Sequence, residues 1–92
     1  MIRLSRFRRA RPQIFAEILK AVIEEAESGG EVKITRIQSK VYVPFDRFRE
    51  YLVEMRNKGL IEESCLKVTE KGLKYVAHYK SVKEFLERFG FE

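Results

Sequence analysis

Cysteine is nearly absent: Cys65 stands alone among 92 residues, which excludes an internal disulfide and any zinc cluster built from cysteines. Histidine is also single. His78 has no sequence-near partner at ligand spacing, so it is expected as a surface or interface residue and Cys65 as a small packing residue. Of the five glycines only Gly29 and Gly30 are adjacent, and they close a helical pattern rather than forming a phosphate-binding loop. No unbroken apolar run is longer than residues 41–43, far short of the roughly 18 residues of a membrane span. The arginines near the N-terminus are not followed directly by an apolar segment, so a secretory signal is not expected. These absences predict one small cytoplasmic domain with no catalytic role, metal or cofactor. A chain of this length buries only about 60 to 65% of its unfolded surface, and help from a partner subunit is consistent with that.

What is present is a marked charge pattern. The net charge is +5. Residues 1–13 hold Arg3, Arg6, Arg8, Arg9 and Arg11 and no acid, so the remainder sums to zero. Within it, residues 14–32 set Lys20 against Glu17, Glu24, Glu25, Glu27 and Glu31. Residues 33–58 carry seven bases against Asp46, Glu50 and Glu54. A polarised surface of this kind steers polyanions better than the same charges evenly spread. The competing reading is that such charge runs are solvated faces, as Glu24, Glu25 and Glu27 are expected to be.

Periodicity divides the chain. From residue 11 to about 28, Ile14, Phe15, Ile18, Leu19, Val22 and Ile23 mark one buried helix face, with Pro12 in the first turn and Gly29-Gly30 as the stop. Residues 31–33 are expected as a short strand. Thr35 and Gln38 have the form of a capping box, which predicts a second helix to about Val41. Pro44 favours a helix start, and the third helix is predicted from there to about residue 58. Its inward positions are Phe45, Phe48, Leu52 and Met55, flanked by Tyr51, while Asp46, Arg47, Arg49, Glu50, Val53, Glu54, Arg56 and Asn57 point outward. Gly59 suits a C-cap. Residues 60–63 and 66–69 are expected as two strands joined through Ser64-Cys65, a pair lacking the Gly or Asn preferred in two-residue turns, so a wider bend is the alternative.

From Thr69 the chain is again helical, with two apolar stripes. Leu73, Val76 and Ala77 suit packing on the domain. Tyr75, Tyr79, Val82, Leu86 and Phe89 recur at heptad spacing and predict a dimer seam, the competing reading being that they fold back on their own domain. Residues 81–84 resemble a capping box that would permit a break near Lys80. One continuous helix is the preferred expectation.

The resulting order is helix, strand, helix, helix, strand, strand, helix. With Ile18-Leu19, Thr35-Arg36-Ile37, Phe45, Tyr51-Leu52, Lys58-Gly59-Leu60-Ile61 and Thr69-Glu70-Lys71-Gly72 in sequence, the chain resembles the small archaeal winged helix-turn-helix DNA-binding proteins, transcriptional regulators and chromatin-type proteins. The resemblance runs from Arg9 to about Leu86. It implies an α+β, mostly α fold of three helices and a small β-hairpin wing with an extra C-terminal helix. It also implies a homodimer held by those helices, with the third helix in the major groove of double-stranded DNA. The expected division is a basic arm over residues 1–10, a winged-helix domain over 11–72 and a dimerisation helix over 73–92.

On that reading Arg47 and Arg49 are the base-contact candidates, since a guanidinium fork can hold guanine O6 and N7 together. Arg36, Lys40 and Arg56 are expected at phosphates, which set register without reading sequence. Arg6, Arg8, Arg9 and Arg11 of the arm are expected along the backbone or in an adjacent minor groove. Glu62 and Glu63 would repel phosphates, so the wing is not expected to touch DNA. The competing reading of Arg47 and Arg49 is pairing within the helix, with Glu50 and Asp46 respectively. A protein-interaction module is the alternative function, disfavoured by a third helix whose outer face is mostly charged. RNA binding would need exposed aromatics for stacking, for which only Tyr42 qualifies.

Overall fold

The computed structural model describes residues 10–90. Of the expected arm, Arg3, Arg6, Arg8 and Arg9 lie outside the described residues. Four helices follow in order: α1 (Arg11–Glu27), α2 (Ile34–Val41), α3 (Phe45–Asn57) and α4 (Glu70–Arg88).

In α1, Pro12 stands in the first turn, where a missing N–H costs no helical bond. Ile14, Phe15, Ile18, Leu19 and Val22 are buried, with Ile18 and Leu19 fully enclosed. Glycine at 29 takes a positive φ of 89° just past the helix end. The strand expected at residues 31–33 is not formed. Val32 instead packs, half-buried, against the core.

The capping box expected at Thr35 does not form either. Helix α2 opens two residues earlier, with Lys33 as N-cap in place of Thr35 and no side-chain bond. Gln38 is drawn elsewhere: its Nε2 donates to the Val43 carbonyl at 2.6 Å, pinning the turn into α3. That turn passes through Tyr42 at φ 54°, ψ 48°, a left-handed conformation that costs a non-glycine residue about 1–2 kcal/mol. Pro44 then serves as N-cap of α3, directly outside it rather than in its first turn.

Helix α3 ends in a Schellman motif. The Gly59 N–H donates to the Arg56 carbonyl at 3.0 Å and that of Leu60 to Met55 at 2.9 Å, with Gly59 at φ 78° and both Leu60 and Met55 buried. The expected hairpin shrinks to a single antiparallel bridge, Ile61 with Val68, and residues 63–66 form a wide bend. Among the described residues no extended strand is present. Ser64 and Cys65 offer no residue suited to positive φ, and without a tight primed turn the two arms splay after one bridge.

The segment after the bridge explains why two sequence phrases occur together. The Thr69 hydroxyl donates to the Gly59 carbonyl at 2.6 Å and accepts from the Gly72 N–H at 3.0 Å, so it caps α4 while holding the end of α3. Lys71 donates Nζ to the Lys58 carbonyl at 2.7 Å. The Thr69 N–H donates to the Leu60 carbonyl at 3.1 Å. Gly72 is buried against that carbonyl, where any Cβ would collide. Residues 69–72 therefore clamp residues 58–60.

Helix α4 is continuous through Lys80, as preferred, and starts earlier than residue 73. Its stripes are used differently from expectation. Tyr75 and Val76 pack on the core, and the Tyr75 hydroxyl donates to the Pro12 carbonyl at 2.7 Å. Leu73 is half exposed and Ala77 is exposed. The helix packs with its Tyr75 and Val76 side on the core, and the Tyr75 bond to Pro12 ties it to the start of α1. The main core joins α1, α2, α3 and the bridge, with Phe48, Ile37, Met55 and Ile61 at its centre and Phe15 edge-on to Tyr51 at 5.6 Å.

Candidate nucleic-acid interface

Helix α3 buries Phe48, Tyr51, Leu52 and Met55. At about 100° per residue, Asp46, Glu50, Val53 and Asn57 then form its outermost ridge, with Phe45, Arg49 and Arg56 on one flank and Arg47 and Glu54 on the other. Arg47 and Arg49, expected to share the reading of bases, stand about 200° apart around the axis and face opposite flanks. The ridge between them is acidic at Asp46 and Glu50, carboxylates that suit cytosine N4 amines and not phosphates.

The helix pairing weighed against base contact does not form. Among the described residues, the ion pairs are Arg11–Glu54, Arg36–Glu25, Lys40 with Glu24 and Glu25, and Lys58–Glu54; neither Arg47 nor Arg49 joins them. Arg49 instead lies over the Phe45 ring, 5.8 Å from its centroid. Phe45 was expected inward and is 49% exposed. As the first residue of α3 it overhangs the end of the core, and Phe48 fills the interior one turn later. The Arg49 flank borders a shallow groove shared with Ile34 of α2, Val53 and Arg56. Arg56 donates Nε to the Glu62 carbonyl at 2.9 Å, which orients its guanidinium at the edge of that groove.

The cations of α2 are engaged by α1. Glu25, expected on a solvent face, is 7% exposed. Lys40 Nζ sits 2.9 Å from its Oε2 and Arg36 Nη1 3.6 Å from its Oε1, while Lys40 also approaches Glu24 at 3.8 Å. The hydrogen bond to Glu25 raises the Lys40 pKa above its ordinary 10.5. A phosphate reaching either cation competes with an internal carboxylate. The sequence signal was the i, i+4 spacing of Arg36 and Lys40, which puts both on one side of α2, but nothing local marked Glu25 as their partner. Arg11, the one described arginine of the expected arm contacts, is tied down too: it pairs with Glu54 at 3.2 Å and lies 5.7 Å from the Tyr51 ring centroid.

Of the expected dimer seam, Tyr75 and Tyr79 lie half-buried near α1, and burial raises the pKa of both above 10.0, helped by Tyr79 for the first and by Glu17 for the second. Val82, Leu86 and Phe89 are exposed at 53%, 39% and 63%. Sequence reasoning missed Phe85, 55% exposed and 5.0 Å from the Phe89 ring. It belongs to the same apolar patch but falls outside the strict heptad count. Every described residue from Ser81 onward is exposed, so this half of α4 projects beyond its own domain.

Cys65 is exposed on the bend, against the expectation that it packs. His78 lines a surface groove with Tyr75, Tyr79 and Val82. No group of His, Cys, Asp and Glu among the described residues is arranged to hold a metal ion, and no described helix is long and apolar enough to cross a membrane.

Residues 8–87 match the family model described as winged helix-turn-helix. No curated protein matches the chain, and no solved structure matches it.

Proposed function

The chain belongs to the winged helix-turn-helix family, and we propose that it is a sequence-preferring double-stranded DNA-binding protein, a transcriptional regulator that acts as a homodimer with α3 in the major groove. The observation that carries this reading is the state of the arginines on α3. Arg47 and Arg49 are exposed and outside the ion pairs that occupy Arg11, Arg36 and Lys40, so their guanidinium forks are presented to a ligand without first breaking a carboxylate contact. Arg49 and Arg56 flank one side of the helix and Arg47 the other, a geometry that offers guanidinium groups to base edges and phosphates on both sides of the ridge. The short bend at residues 63–66, which opens on Glu63 beside Glu62, supplies no cationic tip for DNA.

The homodimer rests on the exposed apolar patch of Val82, Phe85, Leu86 and Phe89 at the projecting end of α4. Large apolar side chains clustered on an otherwise charged helix mark an association surface. A two-fold dimer predicts half-sites about 34 Å apart or a multiple of that.

The test is titration of duplex DNA at several salt concentrations with wild type, Arg47→Ala and Arg49→Ala, beside a mass measurement in solution. Binding that falls steeply with salt, weakened in both variants, is expected. Each phosphate contact contributes about 0.9 to the log-log slope. Absence of salt-dependent duplex binding refutes the reading, and a monomer at micromolar concentration refutes the dimer.

A further inference from the structure

The first turn of α3 holds an arrangement that general polyanion binding does not require. Phe45 is a large apolar side chain, 49% exposed, at the leading end of the helix that would enter the groove. Arg49, one turn on, lies over its ring at 5.8 Å. On an isolated surface this exposure brings no benefit, since burying an aromatic ring is favourable. In a major groove the two side chains match two base-edge features. An aromatic ring packs on the C5-methyl of thymine, and a guanidinium accepts the O6/N7 edge of guanine.

We propose that Phe45 and Arg49 act as one reading unit that selects a thymine and a guanine on neighbouring base pairs. The deduction rests on the DNA-binding reading above and deepens it by naming the bases. The ring fixes the guanidinium by the cation–π contact, so less side-chain freedom is lost when the fork engages guanine. The 5.8 Å between the two groups is less than two base-pair steps of about 3.4 Å each, so the two bases lie within two steps of each other. Arg47, on the opposite flank, is outside this unit and serves the backbone or a separate base pair.

The experiment selects duplexes from a random-sequence pool with the wild-type protein, then replaces single thymines by uracil and single guanines by 7-deazaguanine in the recovered sequence. Uracil removes only the C5-methyl. At one thymine per half-site the change is expected to weaken wild-type binding about fourfold, the effect of exposing one methyl group. A guanine within two steps of it should lose roughly fivefold or more when N7 is removed. Phe45→Ala should bind the thymine and uracil duplexes alike, and its thermal unfolding checks that the fold is kept. The base replacements need no protein variant, so they decide the matter even if Phe45→Ala misfolds. A wild-type protein that binds duplex with no thymine sensitive to uracil overturns the pair reading while leaving DNA binding intact. Sensitivity that persists in folded Phe45→Ala also overturns it. Failure to select or bind any duplex overturns both.

Discussion

Replacing Gly72 by alanine sets two physical effects of opposite sign against each other. Gly72 is in the first turn of α4, where alanine is the better helix former by at most about 1 kcal/mol. Helix propensity alone therefore predicts a more stable protein. The structure predicts the reverse, because a Cβ at this position would lie 2.6 Å from Val68 Cγ1 and closer still to the Leu60 carbonyl oxygen. Val68 is one half of the Ile61–Val68 bridge, and the Leu60 oxygen already accepts from the Thr69 N–H at 3.1 Å. Neither neighbour is the free end of a flexible chain, so the helix start must move. Overpacking of this sort costs about 1–3 kcal/mol, and a weakened Thr69–Leu60 bond adds about 0.5–1.5 kcal/mol. After subtracting the propensity gain, a net loss of about 1–3 kcal/mol remains, or a fall in Tm of roughly 5 to 20 °C for a domain of this size. Thermal unfolding followed by far-ultraviolet circular dichroism measures it, with Ser81→Ala on the exposed part of α4 as a control that should unfold slightly higher. A Gly72→Ala protein melting at or above wild type refutes the clamp between residues 69–72 and 58–60.

Glu25→Gln removes the internal competitor of Arg36 and Lys40, so duplex binding at moderate salt should tighten and the log-log salt slope steepen by up to about 1.8, two phosphate contacts at about 0.9 each. An unchanged slope takes both cations out of the interface. The stability contributed by Tyr75, Tyr79 and Lys40 should be fully present below about pH 10 and be lost above it. The Tyr75 and Tyr79 pKa values are raised, chiefly by burial, and that of Lys40 by its bond to Glu25. Groups raised in the folded state contribute fully below their unfolded values and lose that contribution as pH rises through the folded ones. Melting curves from about pH 8 to about pH 11.5 check this, and a Tm that stays level over the top of that range contradicts it. Leu86→Glu should leave the domain folded, because the residue lies beyond the packed part of α4, and should convert the proposed dimer to monomer in analytical ultracentrifugation. A Leu86→Glu protein that stays dimeric moves the interface off this patch.

The helices were legible because their signals are local. The apolar spacing of α1 and α3, Pro12, and glycine at 29 and 59 act within a turn or two of where they sit. The readings that missed turned on contacts between elements or on helix ends, which periodicity within one helix does not encode. Gln38 looked like half of a capping box until the Val43 carbonyl took its amide. Glu25 looked solvated until α2 brought two cations onto it. Phe45 followed the inward spacing but stands at a helix end, where periodicity no longer ensures cover. The two stripes expected along α4 are mixed: Tyr75 of the expected seam and Val76 of the expected packing stripe both turn to the core, and the Tyr75 hydroxyl finds its acceptor at Pro12, 63 residues away.

The clamp at residues 69–72 links the two halves of the proposed function. Helix α3 ends where Thr69 and Lys71 hold the carbonyls of Gly59 and Lys58, and α4 begins at the same residues. The helix proposed to enter the groove and the helix that carries the apolar patch are thus joined through the clamp. If two copies join through Val82, Phe85, Leu86 and Phe89, the separation and relative tilt of their α3 helices follow from that joint, this clamp and the packing of Tyr75 and Val76 on the core. The spacing of half-sites is then a property of the protein's rigid frame, and DNA must supply it or bend to it. A displaced α4, as Gly72→Ala should produce, would alter the preferred half-site spacing even where each α3 still reads its own base pairs.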